Sequence, residues 1–328
     1  MDAEPGQPSS AVRAIVVFAG YGIEAPDLGV DDYSGLDVEG KIVFTLVGAP
    51  DSLPTDAKAH LSREDTKART AAAHGAVGML RAYPPGSGRG DLFLRAAGRA
   101  EIGSMTWKAA DGRGHDVTSG LLAGALVSRQ VADLLAEGDE VSLSQASIYS
   151  GFESPNVVAL VPGRAPELAH EHVVITAHLD HVGVGRPDAS GDAIYNGAGD
   201  NASGAAVLLE VARLLATSPP RRSVIFVAVT AEERGLVGSD YFIHNPPVAV
   251  DDIVANINLD SGVFRYDFTD IIPFGTAYSS LDENVRRVAA SLGSMWAPIR
   301  CRRRLCSRAP TTTGSCSRES LRCFLCAA

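Results

Sequence analysis

Short apolar segments separated by glycine and proline run through the first half of the chain. Residues 14–18 and 41–47 are rich in Val, Ile and Phe, which predicts β-strands. The alanine-rich stretch 66–74 predicts a helix, and apolar residues at helical spacing over 128–137 predict a second, shorter helix. Together these elements predict one domain over residues 1–150.

The second half of the chain has longer apolar segments. Residues 173–177, 223–230 and 253–259 are predominantly apolar, and the stretch 203–216 carries Ala and Leu along one side of a predicted helix. Apolar strands that alternate with helices are typical of a parallel sheet covered on both faces. We therefore predict an α/β domain over residues 151–298, with a mostly parallel sheet and helices on both of its faces.

The segment 299–328 differs in composition from the rest of the chain. It contains all five cysteines and seven arginines, against a single acidic residue. A zinc knuckle or a disulfide cluster is one interpretation, but only Cys323 and Cys326 have the Cys-x-x-Cys spacing. We favour the other interpretation, in which this segment is an aberrant tail produced by a frameshift after Pro298. Such a tail is not expected to complete the sheet.

Composition and charge narrow the possible partners. With 45% hydrophobic and 21% charged residues among 328, the chain has the make-up of a globular protein of two domains. The formal net charge of −10 argues against a nucleic-acid partner. No apolar run is long enough to span a membrane, and the first residues lack the basic segment of a signal peptide. Nucleic acid and a membrane span are therefore not expected.

Histidine and carboxylate side chains follow the predicted strands of the second domain. His178 ends the first of these strands, Glu232 and Glu233 follow the second, and Asp260 follows the third. A glycine-rich loop that leads into the predicted helix contains Asp200. Because the carboxyl ends of parallel strands share one edge of a sheet, we expect these five side chains to converge there.

The mixture of histidine and carboxylates suits zinc, and an excess of carboxylates suits two zinc ions bridged by one of them. Asp200, between strand and helix, is well placed for the bridge. Adjacent residues of an extended backbone point in opposite directions. One of Glu232 and Glu233 can therefore bind metal while the other faces the substrate as general base.

Asp180 and His181 lie close to His178 in the sequence and are interpreted separately from the five converging residues. Asp180 is placed to accept the second N–H of His178 and so to fix its tautomer. His181 is interpreted as a cleft-facing or surface residue. Singly, each acidic residue of the set is more commonly a helix cap, a turn residue or a solvated charge. Their order after three apolar strands favours a metal site.

Four sequence motifs resemble the co-catalytic zinc peptidases, which include bacterial leucyl aminopeptidases, aminopeptidase Y, and the glutamate carboxypeptidases and transferrin receptors. They are Ala-His-Leu-Asp at 177–180, Gly-Asp-Asn-Ala-Ser-Gly at 199–204, Thr-Ala-Glu-Glu-Arg-Gly-Leu-Val-Gly-Ser at 230–239 and Asn-Leu-Asp at 258–260. In addition, two short motifs make residues 1–150 similar to the smaller, β-rich protease-associated domain that many members contain. They are Phe-Ala-Gly-Tyr-Gly at 18–22 and Val-Glu-Gly-Lys-Ile-Val at 38–43.

The resemblance implies a role for each residue. His178, Asp200 and Asp260 would hold one zinc ion, and Asp200 would bridge to a second. Glu233 and a histidine late in the chain would complete the second zinc site, and Glu232 would act as general base. No histidine follows Asp260 in this sequence, so the second zinc lacks one implied ligand and the activity of this chain is expected to be impaired.

The resemblance also implies an activity and a location. The expected activity is that of an aminopeptidase, which hydrolyses N-terminal peptide bonds of peptides with a free N-terminus, and the expected location is secreted or periplasmic. An enzyme of the glutamate carboxypeptidase type and a single-zinc relative of glutaminyl cyclase are alternatives. A catalytically dead peptidase fold used for binding is an alternative from another class.

Overall fold

Two structural units make up the chain, unit 1 over Met1–Phe152 and unit 2 over Glu153–Ala328. The computed structural model describes residues 9–86, 92–94, 96, 104–115, 120–146, 150–261, 270–276, 279–293, 295–296 and 322–326. None of the helices formed by these residues combines the length and the apolar character needed to cross a bilayer.

Unit 1 is built on a five-stranded sheet with strand order β6-β5-β4-β1-β7, in which β7 runs antiparallel to β1 and the other pairs are parallel. The predicted helix over 128–137 is present only as a single turn, α3. The strands and helices are β1 (Ser9–Phe18), β2 (Glu24–Ala25), β3 (Val30–Asp31), β4 (Ile42–Leu46), α1 (Thr55–Leu61), α2 (Glu64–Ala73), β5 (Gly78–Ala82), β6 (Ala123–Leu126), α3 (Arg129–Ala132) and β7 (Glu140–Ala146).

The sheet of unit 1 is buried on both faces. Successive side chains of a strand point to opposite faces, and the neighbours Val16 and Val17 of β1 accordingly belong to different apolar clusters. The cluster that contains Val17 includes Ala68 and Ala71 of α2. The cluster that contains Val16 includes Ala132 of α3. Among the described residues of unit 1, no group of chemically active side chains like the one in unit 2 is found.

Unit 2 contains a seven-stranded sheet with strand order β15-β14-β16-β13-β9-β12-β8. The central strands β13, β9 and β12 are parallel to one another, and β8 runs antiparallel to β12. The strands and helices are β8 (Val157–Val161), β9 (His172–His178), β10 (Gly183–Val184), β11 (Ile194–Tyr195), α4 (Ser203–Thr217), β12 (Ser223–Val229), α5 (Val237–His244), β13 (Ile253–Asp260), β14 (Asp270–Phe274), α6 (Leu281–Ser291), β15 (Met295–Trp296) and β16 (Arg322–Cys326).

The predicted α/β architecture of unit 2 is confirmed, with a mostly parallel sheet and helices on both faces. Leu208 of α4 packs in an apolar cluster with Ile175 and Ala177 of β9. Phe242 of α5 packs in a different cluster with Val174 of the same strand. Because alternate residues of β9 contact different helices, α4 and α5 cover opposite faces of the sheet.

The tail contributes a strand to this sheet, which the sequence analysis did not expect. β16 lies between β13 and β14, antiparallel to the first and parallel to the second. The prediction that the tail would not complete the sheet is therefore wrong. Residues 322–326 read Arg-Cys-Phe-Leu-Cys, an apolar segment that suits a strand, and pairing satisfies backbone groups of β13 and β14. Residues 297–321 lie outside the described part of the chain, so the frameshift itself stays a prediction.

Candidate metal centre

Two strand ends and a turn bring a first set of metal-type ligands together. His178 is the last residue of β9, Asp260 is the last residue of β13, and Asp200 lies in the turn that leads into α4. Nε2 of His178 lies 3.1 Å from Oδ1 of Asp200 and 3.5 Å from Oδ1 of Asp260. We call these three side chains the His178 group. The peptide bond between Asp200 and Asn201 is cis.

A second set of ligands shares Asp200 with the first. It consists of His181, Asp200 and Glu233, and we call it the His181 group. Nδ1 of His181 lies 2.8 Å from Oε1 of Glu233. In each group the ligand atoms lie within 4.8 Å of one another. Because Asp200 belongs to both groups, its carboxylate is placed to bridge two cations.

Each of the two groups contains a buried imidazole nitrogen that faces carboxylates. Nε2 of His178 and Nδ1 of His181 are buried, and neither makes a hydrogen bond, although carboxylate oxygens lie 3.1 Å and 2.8 Å away. A buried polar atom without a hydrogen bond is costly. A cation bound jointly by these nitrogens and carboxylates removes that cost, and a ligand set of imidazole and carboxylate fits zinc.

Asp180 supports the site from behind the ligands. Its carboxylate accepts hydrogen bonds from the backbone N–H groups of Glu232 and Glu233, at 3.0 Å and 3.2 Å. Nδ1 of His178 lies 3.0 Å from the backbone carbonyl oxygen of Asp180 and 3.8 Å from its carboxylate. The expected partner of His178 was the carboxylate. The carbonyl oxygen takes that place, because the carboxylate holds the turn that carries the two glutamates.

Glu232 and Glu233 lie in a turn, and not in the extended backbone that the sequence analysis assumed. β12 ends before them, and Ala231 has a φ of 53°, in the left-handed region. The premise of an extended backbone at the two glutamates was therefore wrong. Ser261, which directly follows β13, has the same φ of 53° as Ala231. The two glutamates still differ in their surroundings, since Glu233 contacts His181 while Glu232 lies near the charges of the His178 group.

Burial and neighbouring charges together shift the pKa values of His178 and Glu232. Burial alone lowers the pKa of His178, but interactions with Asp180 and Asp260 and the charge of Glu232 outweigh it and raise the pKa to about 11. Burial raises the pKa of Glu232 to about 7, opposed by the charge of His178 and assisted by neighbouring carboxylates. A carboxyl group that titrates near neutrality can both accept and return a proton at physiological pH, as a general acid–base group must.

Asn201 fastens the ligand-bearing turn to both neighbouring strand ends. Its side chain is only 2% exposed. Nδ2 donates to the carbonyl oxygen of Leu259 at 2.9 Å and lies 3.4 Å from that of His178. Oδ1 accepts from the backbone N–H groups of Gly204, at 3.0 Å, and Ser261, at 3.1 Å. One buried amide thus connects β9, β13 and the start of α4.

Replacement of Asn201 by Ala is expected to destabilise unit 2 by about 3 kcal/mol, because the buried groups of Leu259, Gly204 and Ser261 each lose a hydrogen-bond partner. Denaturant unfolding of the metal-free chain measures the change. Asn196→Ala is the matched control, since the Asn196 side chain makes a single exposed contact of 3.4 Å. Equal stability of the two variants would contradict the role assigned to Asn201.

The five residues predicted to converge do so at the carboxyl edge of the sheet, with Asp180 directly behind them. The residue that sequence analysis missed is His181. The available signal was its position three residues after His178, immediately beyond the same strand. A lone histidine in a loop is common, and the fold alone brings this one against Glu233.

The fold and the site together define an α/β protein whose sheet carries, at its carboxyl edge, two histidine–carboxylate ligand groups joined by one aspartate. Residues 156–302 match the sequence model of peptidase family M28, and this segment belongs to that family.

Individual relatives match shorter parts of the chain. A "Probable zinc metalloprotease" of Leptosphaeria maculans is 44% identical over 87 residues, which are 26% of this chain and 19% of the relative. "Aminopeptidase YwaD" of Bacillus subtilis is 29% identical over 136 residues, 41% of this chain and 27% of the relative. The solved aminopeptidase from Aneurinibacillus sp. strain AM-1 superimposes with a TM-score of 0.42 and 20% identity, covering 98% of this chain and 67% of the other. The chain therefore spans only a minor part of these two curated relatives.

Proposed function

We propose that this chain is a zinc aminopeptidase, which releases N-terminal residues from peptides by means of two zinc ions. The observation that carries the proposal is the pair of ligand groups that share Asp200 and have Glu232 beside them. Membership of the segment 156–302 in a peptidase family supports hydrolysis of peptide bonds. The names of the relatives, a zinc metalloprotease and an aminopeptidase, support the metal and the type of bond.

Each group of residues has a defined part in this proposal. His178, Asp200 and Asp260 would hold one zinc ion, and Asp200 and Glu233 would hold the other. When bound, the two ions supply polarisation of the scissile carbonyl and a lowered pKa of the attacking water. Glu232 accepts the proton of that water and delivers it to the leaving amine, a role worth typically 10²–10⁴-fold in rate.

The substrate in this proposal is a peptide with a free N-terminus. Asp200 is 48% exposed, so solvent and substrate can reach the bridging carboxylate, whereas His178 is 3% exposed and shielded from them. The late histidine that the resemblance implies is absent from the sequence after Asp260. We therefore expect slow turnover, and the test must detect a few turnovers.

The test is prolonged incubation of the zinc-loaded full chain with short peptides, followed by mass spectrometry. Each peptide is supplied in three forms, with both ends free, with an acetylated N-terminus and with an amidated C-terminus. The expected result is loss of the N-terminal residue from the free and amidated forms only. A chelator should abolish the reaction and added zinc should restore it.

Two results would contradict the proposal. Release of C-terminal residues from the acetylated form would indicate the carboxypeptidase alternative. Binding of zinc and peptide without hydrolysis of any form would indicate a non-catalytic binding protein.

A further inference from the structure

His181 has a position that the proposed roles do not use. It lies in the loop after β9, and its side chain is 23% exposed although its Nδ1 atom is buried. That nitrogen lies 2.8 Å from Oε1 of Glu233 and makes no hydrogen bond. The Asp200 carboxylate completes the group on the other side. A buried imidazole nitrogen that faces two carboxylates without bonding to either is arranged as a metal ligand.

We propose that His181 supplies the imidazole ligand of the second metal ion, together with Asp200 and Glu233. This inference rests on the proposed two-zinc centre and identifies the residue that takes the place of the late histidine. The second site would then have one nitrogen and two carboxylate ligands, the same set that the His178 group offers the first. Three protein ligands leave a position open for water or substrate, as catalytic zinc sites require.

The other histidines of unit 2 have different surroundings. His172 begins β9 and His170 precedes it, at the end of the strand opposite to His178. At about 3.3 Å per residue, six residues of strand separate His172 from His178 by roughly 20 Å. His244 lies at the end of α5, where its Nδ1 is 2.8 Å from the carbonyl oxygen of Asp240. His181 is thus the histidine that the fold offers to Glu233.

Local packing holds His181 in this position. A side chain on Gly197 would place its Cβ 2.8 Å from Cβ and 2.9 Å from Cγ of His181, so the loop that carries Asp200 packs directly against the histidine. Gly197 also has a φ of 68°, which glycine adopts without strain. On the other side, the carboxylate of Asp180 accepts a hydrogen bond from the backbone N–H of Glu233, at 3.2 Å. Direct contacts between protein atoms therefore connect the loops of all three ligands.

The charge of the site favours two cations over one. Five carboxyl groups lie around two imidazoles, so the side chains of the site are predominantly acidic. Such an excess of like charge in a partly buried site is costly unless cations offset it. The carboxylates are those of Asp180, Asp200, Glu232, Glu233 and Asp260.

The experiment is a zinc titration of the metal-free full chain, with the bound metal counted by mass spectrometry. The wild-type chain is expected to bind two zinc ions. His181→Ala is expected to retain one and to bind the second more than about 100-fold more weakly, since even partners outside the ligand shell are worth 10–100-fold in affinity. His170→Ala, a change just before the start of β9, is the matched control and should behave as the wild type. Circular dichroism verifies that each variant folds.

X-ray absorption spectroscopy of the wild-type chain provides a second test that needs no variant. Two zinc ions bound by His178 and His181 should show an average of one imidazole per zinc. If His178 were the only imidazole ligand, the average would be one half.

The outcomes separate this inference from the proposed function. Two tightly bound zinc ions in His181→Ala, or an average of half an imidazole per zinc, would overturn the role of His181 and leave the peptidase proposal intact. One zinc ion of equal affinity in the wild type and in His181→Ala would overturn the role of His181 and, with it, the second zinc ion of the proposed function. Loss of the second ion in His181→Ala, combined with no hydrolysis of any peptide by the wild type, would support the metal site and refute the peptidase.

Discussion

Replacement of Glu232 by Gln is expected to lower kcat by about 10²–10⁴-fold while both zinc ions stay bound. Gln keeps the size of the side chain but cannot accept a proton from the attacking water. The side chain of Glu232 is half-buried, and this burial raises the pKa of its carboxyl group to about 7. Since Glu232 belongs to neither ligand group, its replacement should leave the metal content unchanged.

The adjacent variant Glu233→Gln is the matched control for this prediction. Glu233 lies in the His181 group, so its replacement should reduce the zinc content to about one ion per chain. The measurements are kcat on a peptide with a free N-terminus and a zinc count for both variants. Equal loss of zinc in the two variants would show that the roles of Glu232 and Glu233 have been assigned wrongly.

Replacement of Asp200 by Ala is expected to remove both zinc ions and to lower activity by about 10³–10⁴-fold or more. Asp200 is the residue that the two described ligand groups share, so its loss leaves each group with two ligands. Metal polarisation and charge stabilisation are worth several kcal/mol of the reaction barrier, and each 1.36 kcal/mol is tenfold in rate.

Asp192→Ala is the matched control, because Asp192 is an exposed aspartate of the same unit whose carboxylate accepts a local hydrogen bond from the N–H of Ile194, at 2.9 Å. The zinc content and the peptidase activity of both variants are compared at equal protein concentration. Retention of one tightly bound zinc ion by Asp200→Ala would mean that Asp200 does not bridge the two sites.

Much of unit 2 could be predicted from sequence, because its apolar strands leave little choice of architecture. The predicted strand over 173–177 is observed as His172–His178, and the predicted helix over 203–216 as Ser203–Thr217. Once these strands are parallel, the residues after them share one edge. The proximity of His178 and Asp260, which are 82 positions apart in sequence, could therefore be predicted without knowledge of any loop conformation.

The details that could not be predicted depend on loop conformation. The positive φ of Ala231 changes the direction of the chain before Glu232, and no sequence pattern indicated it. The carboxylate of Asp180 holds that turn, which explains why His178 bonds to a carbonyl oxygen instead. The contact of His181 with Glu233 follows from the same turn and was missed for the same reason.

Three predictions from sequence remain predictions. The likeness of residues 1–150 to a protease-associated domain rests on short motifs, and the secreted or periplasmic location rests on the resemblance alone. The frameshift concerns residues outside the described part of the chain. Resequencing of the gene around the codon for Pro298 tests it directly.

The left-handed backbone of Ala231 and Ser261 has a consequence for how this site can vary in evolution. Each residue adjoins a functional carboxylate, and each has a side chain in a conformation that costs an L-residue about 1–2 kcal/mol. Glycine would remove most of that cost. It would also let the neighbouring carboxylate sample more backbone conformations, so that more entropy is lost when a cation binds. Glycine at these two positions is therefore expected to raise folding stability and to weaken cation binding.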